Sequence, residues 1–355
     1  MRKRTLVTAL SALAFSLGSC GLASGAKQGS SDGGAADNIA AQIAAVTDEQ
    51  LQGTSIKLAR FFGDCDDTAA HQTDISKATT ECEAIQILTN KFVAENKWGI
   101  KVERLGGANW FSYYDALNAA LASSDRPDVA VMHGSNLPDY ASRGLLLPLG
   151  DELGVDLSDA TDPASEAISF DGKNYAVPFD IHAIVSHLNM DILEQAGLVK
   201  NGIYEMPTSA EEFLADAQTV KEKTGKTYID IALTNDPMAS RFWMSMIWQQ
   251  GAEFIDVDQK TAYAASDQAK VALNLLVTLA KERYADVTHD YDASMQAFSR
   301  GGSAIMYNGS WAVNQFTLEV PFHYEVANAP MLFDTPVTWA NSHTWEFRCS
   351  KKRIL

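Results

Sequence analysis

The feature that most constrains the fold is a strand–helix–strand–helix–strand alternation in residues 56–133. Short apolar runs at residues 56–62, 100–105 and 128–133 predict three β-strands. Between them, apolar residues recur at helical spacing: Ile85, Leu88 and Phe92 in the first segment, and Tyr113, Leu117, Ala120 and Leu121 in the second. Because strands in this order are joined by right-handed crossovers, the pattern predicts a parallel sheet flanked by helices.

The second half of the chain repeats the alternation. Strands are predicted at residues 175–179, 182–189, 228–233 and 303–308. A capping box at residues 208–211 predicts a helix that buries Phe213, Leu214, Ala217 and Val220, and residues 267–283 predict another that buries Val271, Leu275, Leu276 and Leu279. A single core stops growing beyond about 250–300 residues, so a chain of 355 residues is expected to form two domains.

The amino terminus predicts export. Met1 and three basic residues precede an apolar run over residues 6–17, which is typical of a signal peptide and too short to span a membrane. The run ends in Leu17-Gly18-Ser19-Cys20, which resembles a bacterial lipobox. We therefore expect a signal peptide over residues 1–20, a lipid on Cys20, a flexible Gly- and Ser-rich tether over residues 21–52, and membrane contact only through the lipid. The alternative is an ordinary signal peptide cleaved near Ala23 or Ala26.

The remaining cysteines suit an oxidising compartment. With Cys20 lipidated, Cys65 and Cys82 are the natural disulfide pair, and they bracket a short polar loop. The alternative is two unrelated buried thiols. Cys349 has no evident partner in the sequence.

Charge and motifs exclude several classes of function. The formal net charge of −17 repels a polyphosphate backbone, and no basic patch offsets it, so no nucleic-acid partner is expected. The sequence has no Gly-x-Ser-x-Gly elbow, His-Glu-x-x-His, phosphate-binding glycine loop or zinc-spaced cysteine set. No catalytic residue, cofactor or metal is predicted. The rival from another class is an exported carbohydrate-active lipoprotein enzyme, because paired carboxylates in a sugar cleft can act as acid and base.

Four blocks of sequence carry a family resemblance. They are Pro127-Asp128-Val129 with residues 140–148, residues 172–180, residues 189–198, and residues 298–311, which end in Asn308-Gly309-Ser310-Trp311. In order and spacing they resemble the extracellular solute-binding proteins of sugar ABC importers, the group that includes maltose-binding protein. The resemblance covers most of the chain.

The resemblance implies a two-lobed α/β fold, each lobe a mainly parallel sheet flanked by helices. The amino-terminal lobe would span residues 53–177 and the carboxy-terminal lobe residues 183–337, with crossings at residues 178–182 and from residue 338 onward. Hinge closure around a carbohydrate would present the ligand to the membrane permease subunits of an ABC importer. We expect a monomer at the periplasmic or outer face of the cell membrane.

The carboxy terminus departs from the family. Residues 345–355 turn basic and lack the expected proline-containing strand exit. We expect a frameshift, a gene fragment or another truncation, which would leave apolar surface of the first lobe uncovered.

Ligand-site residues follow from sugar chemistry, because a sugar offers apolar C–H faces to aromatic rings and hydroxyls to polar groups. Trp311 matches the family's ligand-stacking tryptophan, and Gly309 is interpreted as a turn glycine that places it. Asp180, at the hinge, is expected to accept from two hydroxyls. The other expected ligand-binding residues, many of them beyond strand ends, are Asp64, Asp66, Asn109, Trp110, His133, Ser135, Asn136, His182, Arg241, Trp243, Trp248, Asn308 and Trp339.

Alternatives stay open for several of these residues. Asp64 and Asp66 could be solvated loop carboxylates, and Trp243 or Trp248 could belong to a core. His182 could be a hinge histidine with satisfied hydrogen bonds. Arg241 leaves room for an anionic group, so a polyol, phosphodiester or polyamine remains an alternative ligand.

Overall fold

The computed structural model describes residues 45–105, 110–149, 157–256 and 260–348. The predicted leader, Cys20, Asn109, Cys349 and most of the tether lie outside these ranges. Within them, no helix is long and apolar enough to cross a membrane. The strands are β1 (Ser55–Ala59), β2 (Lys101–Leu105), β3 (Val129–His133), β4 (Ser169–Phe170), β5 (Lys173–Asn174), β6 (Ala176–Pro178), β7 (His182–Asn189), β8 (Thr227–Asp230), β9 (Ile255–Asp256), β10 (Thr261–Ala262), β11 (Ser303–Gly309), β12 (Tyr324–Asn328), β13 (Ala340–Asn341) and β14 (His343–Phe347).

Helices flank these strands. They are α1 (Asp48–Leu51), α2 (Glu81–Glu95), α3 (Trp110–Ala122), α4 (Leu137–Ser142), α5 (Asp162–Ala167), α6 (Met190–Ala196), α7 (Ala210–Thr224), α8 (Met238–Gln249), α9 (Asp267–Lys281), α10 (Tyr291–Ser299) and α11 (Val313–Glu319). Helix α1 lies inside the predicted tether, where Thr47 and Gln50 form a capping box. The folded body therefore begins before the predicted end of the tether.

Two five-stranded sheets form the two lobes. The first has the order β2-β1-β3-β14-β6, in which β1 pairs parallel with β2 and β3, and β14 pairs antiparallel with β3 and β6. The second has the order β12-β7-β11-β8, with β13 also on β7; only β11 and β8 pair parallel. The predicted mainly parallel sheets are thus mixed sheets, because the strands that arrive from the opposite lobe enter against the local direction.

The chain crosses between the sheets twice, and the crossings lie side by side. Residues 179–181 separate β6 in the first sheet from β7 in the second, and Ser342 alone separates β13 from β14. The Phe179 amide donates to the His343 carbonyl at 2.8 Å, which joins the two crossings. Strand β14 lies between β3 and β6, so Trp345 and Glu346 are full members of the first sheet. Arg348 also donates to the Pro127 carbonyl, so residues 345–348 pack within the first lobe, and the departure from the family at residue 345 stays a prediction.

Two helices differ from their predicted details. Ser209 caps α7 and accepts from the Glu212 amide, so the N-cap lies one residue later than predicted; Glu212 accepts from the amide of Thr208, which precedes the cap, and not from that of Ser209. In α9, Val271 is 46% exposed, because the helix turns Ala272, Leu275 and Leu279 inward against the second core.

Each lobe has its own core. The first packs Leu58, Tyr113, Leu117 and Val131 around β1 and β3, and the second packs a larger apolar set around β7, β8 and β11. Of the predicted inward face of α2, only Ile85 is buried. Leu88 and Phe92 are each 41% exposed and border an open apolar groove of about 240 Å³ beside Val102 and Trp345.

The predicted disulfide between Cys65 and Cys82 is confirmed. Beside it, the buried Arg60 guanidinium donates to Asp66 and Gln86 at 2.8 and 3.0 Å. The bond thereby ties the loop after β1 to the first turn of α2, and both border the cleft described below.

Removing this disulfide should destabilise the first lobe. The bond closes a loop with a sequence separation of 17 residues, so the chain-entropy model gives a loss of about 3 kcal/mol for C65A/C82A. Urea unfolding of the oxidised protein measures the loss. Reductant should give the wild-type protein a comparable loss and leave C65A/C82A unchanged; an equal midpoint for both oxidised proteins would contradict the prediction.

A buried histidine makes the second lobe acid-sensitive. His187, on β7, donates from Nε2 to the Gly309 carbonyl at 3.1 Å and meets the Tyr324 hydroxyl at Nδ1, at 2.6 Å. Burial lowers the pKa of His187 to about 4, and the hydrogen bond to Gly309 only partly opposes this shift. The unfolded side chain has a pKa of about 6.5.

Stability should therefore fall as pH drops from about 6.5 to about 4, because in that window the unfolded chain binds the proton more tightly than folded His187 does. H187Q, which keeps a neutral donor and acceptor, should lose this part of the pH dependence even if it is less stable at neutral pH. Urea unfolding at about pH 7.5 and about pH 5 gives the comparison. Equal pH slopes in both proteins would show that His187 does not contribute.

Candidate functional site

A cleft between the lobes lies beyond the carboxyl ends of β1 and β3, where the strand-end rule predicts a ligand. It encloses a cavity of about 290 Å³. The cavity is lined by Phe61, Phe62, Gly63, Glu81, Trp110, His133, His182, Asp236, Arg241, Tyr291, Trp311 and His343. Residues of both lobes line it, so a molecule bound there would contact both. A wider groove of about 660 Å³ lies at the opposite end of the first sheet, where β1 begins.

Trp311 lies directly over the backbone of Gly309. A Cβ atom on Gly309 would come within 2.0 Å of the indole ring, so only glycine fits beneath it. Gly309 has a φ of −82°, which any residue adopts. Glycine is therefore required at this position by the close approach of the ring and not by the predicted turn.

A hydroxyl holds the indole in place. Trp311 Nε1 donates to Tyr291 Oη at 2.8 Å, and Asn308 Nδ2 donates to the same oxygen at 3.2 Å. Asn308 is fully buried and does not line the cavity, so the structure places it behind the site, where it orients Tyr291. No sequence pattern pointed to Tyr291, because it opens α10 far from any predicted strand end.

Arg241 brings a positive charge to the cavity. Its guanidinium carbon lies 4.1 Å from the ring centroid of Trp339, 5.9 Å from that of Trp110 and 6.0 Å from that of Trp311. Within the described ranges it forms no ion pair with a carboxylate. Trp339 is not among the cavity-lining residues; it backs the guanidinium by a cation–π contact.

Three histidines meet at the base of the cleft around Asp180. His343 Nδ1 donates to Asp180 Oδ2 at 2.8 Å, and His182 Nδ1 donates to Oδ1 at 3.2 Å. The His343 amide also donates to Oδ1. Burial opposes ionisation of Asp180, but these hydrogen bonds outweigh it and hold its pKa well below the usual range. Because these donors occupy both oxygens, Asp180 does not present the two free acceptors that the sequence suggested.

The third histidine, His133, ends β3 and stacks on Phe61 with ring centroids 4.6 Å apart. Its Nδ1 lies 2.7 Å from Tyr114 Oη, which also accepts from the His133 amide. Burial, with a smaller contribution from His343, lowers the pKa of His133 to about 3. This side chain therefore lines the cavity as a neutral imidazole.

Two carboxyl groups line the cavity without having been predicted. Burial raises the pKa of Glu81, at the start of α2, and that of Asp236, before α8. Asp236 follows β8, so applying the strand-end rule to the second lobe would have found it. Glu81 follows the disulfide loop, whose path the sequence does not reveal.

The predicted carboxylates Asp64 and Asp66 are engaged elsewhere. Arg104 pairs with Asp64 at 3.2 Å and with Asp66 at 2.7 Å, and Asp66 also pairs with the buried Arg60. Neither carboxylate lines the cavity. Arg60 directly follows β1 and Arg104 lies on β2, so the pairing of these two strands brings both arginines to the carboxylates.

Four other predicted residues also lie off the cavity. Trp243 donates from Nε1 to the Ala269 carbonyl and packs on Phe254, because its face of α8 meets α9. Trp248 is not among the lining residues. Ser135 and Asn136 do not line the cavity either; Ser135 instead bonds to Asn341 at the second crossing.

The comparisons with known proteins agree on the architecture. The protein family described as "Bacterial extracellular solute-binding protein" matches residues 88–345. The solved structure of the GacH receptor of Streptomyces glaucescens, described with and without acarbose, superposes with a TM-score of 0.68 at 23% identity, covering 84% of this chain and 72% of that one. UgpB from Mycobacterium tuberculosis in complex with glycerophosphocholine superposes at 0.69 with 21% identity, covering 84% and 74%. The two-lobed fold is shared.

Curated relatives match over shorter stretches. The diacetylchitobiose binding protein DasA of Streptomyces coelicolor is 32% identical over 137 residues, which is 39% of this chain and 30% of that protein. A maltotriose-binding protein of Pyrococcus abyssi is 25% identical over 56% of this chain and 41% of that protein. The matches thus span less than half the length of either relative. Since the family description covers most of the chain, this protein belongs to the bacterial extracellular solute-binding proteins.

Proposed function

We propose that this protein captures a carbohydrate in the cleft between its lobes and delivers it to an ABC importer by hinge closure. The observation that carries the proposal is the fixed indole of Trp311, which lies over Gly309, is held by Tyr291, and borders a cavity shared with Trp110. Indole faces suit the C–H surfaces of sugar rings. The names of the relatives, a diacetylchitobiose and a maltotriose binding protein, support the same ligand class.

Polar groups around these rings provide the partners that sugar hydroxyls need. Glu81, His133 and His182 reach the cavity from the first lobe and the crossing, and Asp236 and Arg241 reach it from the second lobe. Charged partners form stronger hydrogen bonds to hydroxyls than neutral ones do. A sugar that stacks on Trp311 of the second lobe and pairs with Glu81 of the first would favour the closed arrangement, since only that arrangement provides both contacts.

The membrane partners follow from this reading. A closed, ligand-bound form would dock on the permease subunits of an ABC importer, and Cys20 would carry a lipid that keeps the protein at the extracytoplasmic face. We infer that the protein acts as a monomer and as a binder, without turnover. Glu81 and Asp236 are two carboxyl groups in one cleft, so hydrolysis is the rival activity. Incubation with oligosaccharides followed by product analysis separates binding from hydrolysis.

Arg241 provides the observation for a second candidate ligand class, which the comparisons do not favour. Its half-buried guanidinium lines the cavity without a carboxylate ion pair among the described residues, and the solved structure of UgpB, which has this fold, is a complex with glycerophosphocholine. A bound phosphodiester would place its negative charge beside the Arg241 guanidinium and accept hydrogen bonds from it.

A binding screen tests the proposal directly. The full chain is titrated by calorimetry against mono-, di- and trisaccharides, amino sugars and glycerophosphodiesters, and thermal unfolding reports the ligand because tight binding raises stability by mass action. We expect saturable binding of a saccharide. If only phosphodiesters bind, and R241Q abolishes their binding, the second ligand class replaces the first.

Trp311→Ala should weaken sugar binding without unfolding the protein. Loss of a central aromatic contact costs about 2 kcal/mol, or roughly thirty-fold in Kd. Trp98→Ala is the matched control, since Trp98 lies near Asp48 at the far side of the first lobe and bonds to it. Calorimetry and circular dichroism measure affinity and fold.

A second variant moves the ring without deleting it. Gly309→Ala introduces a Cβ that would lie 2.0 Å from the indole, so the ring must shift. Its affinity should fall as well. Unchanged sugar affinity in Trp311→Ala would show that the ligand does not stack on this residue.

A further inference from the structure

We propose that His133, His182 and His343 form a binding site for a divalent transition metal, with Zn²⁺ as the expected ion, at the base of the cleft. One ring nitrogen from each lies within 4.8 Å of the other two. The ring centroids of His182 and His343 are 4.1 Å apart, those of His133 and His343 5.1 Å, and those of His133 and His182 6.0 Å. Three imidazoles with an open fourth position form a known kind of zinc site.

Each imidazole is oriented through its Nδ1. Asp180 holds His182 and His343, one on each carboxylate oxygen, and Tyr114 Oη holds His133. This is the second layer of contacts that histidine ligands use, in which an oxygen fixes the ring and leaves the other nitrogen to the ion. Within the described ranges no hydrogen bond engages Nε2 of these three rings. That nitrogen is therefore available in all three.

The arrangement of lone pairs favours a cation. A carboxylate accepts only, so Nδ1 carries the proton in both His182 and His343, and Nε2 of each is an acceptor. The two rings stack with planes 27° apart, and within the described ranges no protein donor bonds to either acceptor. Borderline-soft transition ions prefer imidazole nitrogen, whereas Mg²⁺ and Ca²⁺ prefer oxygen.

The position of the site adds a second consequence. His133 ends a first-lobe strand, His182 begins β7 after the first crossing, and His343 begins β14 after the second. An ion held by all three would join both crossings to the first lobe. Its remaining coordination position would face the cavity, which Glu81 also lines. This inference does not depend on the identity of the solute.

Metal titration of the full, untagged chain tests the site. The protein is stripped with chelator and titrated with Co²⁺, whose visible absorption reports four-coordination, and then with Zn²⁺ as competitor; no sugar is present. We expect one equivalent of Co²⁺ with intense visible bands that Zn²⁺ displaces. His343→Gln and His133→Gln should weaken Co²⁺ binding by more than about 100-fold, and Asp180→Asn by about 10- to 100-fold.

His71→Gln and His323→Gln are the matched controls, because both histidines are exposed and lie away from the cleft. They should bind Co²⁺ as the wild-type protein does. Circular dichroism confirms that each variant is folded, and His182→Gln replaces any variant that is not. The proposal is overturned if the wild-type protein gives no such bands, or if they persist in folded His343→Gln and His133→Gln. Sugar affinity is measured separately, so failure of either proposal leaves the other standing.

Discussion

The hydrogen bonds of Asp180 are the interaction on which the arrangement of the molecule depends. This carboxylate lies on the first crossing and accepts from His182, at the start of the second lobe, and from His343, on the second crossing. One partly exposed acceptor thus fixes both links between the lobes. The histidine rings it orients form the base of the cleft, and the walls that carry Trp110, Arg241 and Trp311 rise from the two sheets on either side.

Much of the fold followed from periodicity alone. Strand β7 matches its predicted bounds, and α9 lies within two residues of its predicted range, because long amphipathic segments leave little ambiguity. The directions of the strands could not be predicted from periodicity. Whether β14 runs parallel to β3 depends on where a distant part of the chain returns, and no local pattern records this. The exposed Val271 and Leu88 show a related limit, since helical spacing gives a face but tertiary packing sets its phase.

The site was predictable where chemistry coincided with strand ends. Trp110, His133, His182, Arg241 and Trp311 all line the cavity, and the rule of strand ends or the family resemblance named each of them. Three predicted side chains have other partners in the structure: Asp64 and Asp66 pair with arginines, and Asp180 accepts from two histidines. The sequence analysis did not identify Tyr291 and Glu81, whose positions depend on helix packing and on the path of the disulfide loop.

The two crossings also restrict how the lobes can move. One has three residues between its strands and the other has one, and a backbone hydrogen bond from Phe179 to His343 joins them. Two short, adjacent crossings leave the two lobes, if each is rigid, little freedom except rotation about a single axis that passes through both crossings. The two lobes would then open and close along one arc. The indole of Trp311 would therefore return to face the same side chains of the first lobe in every cycle.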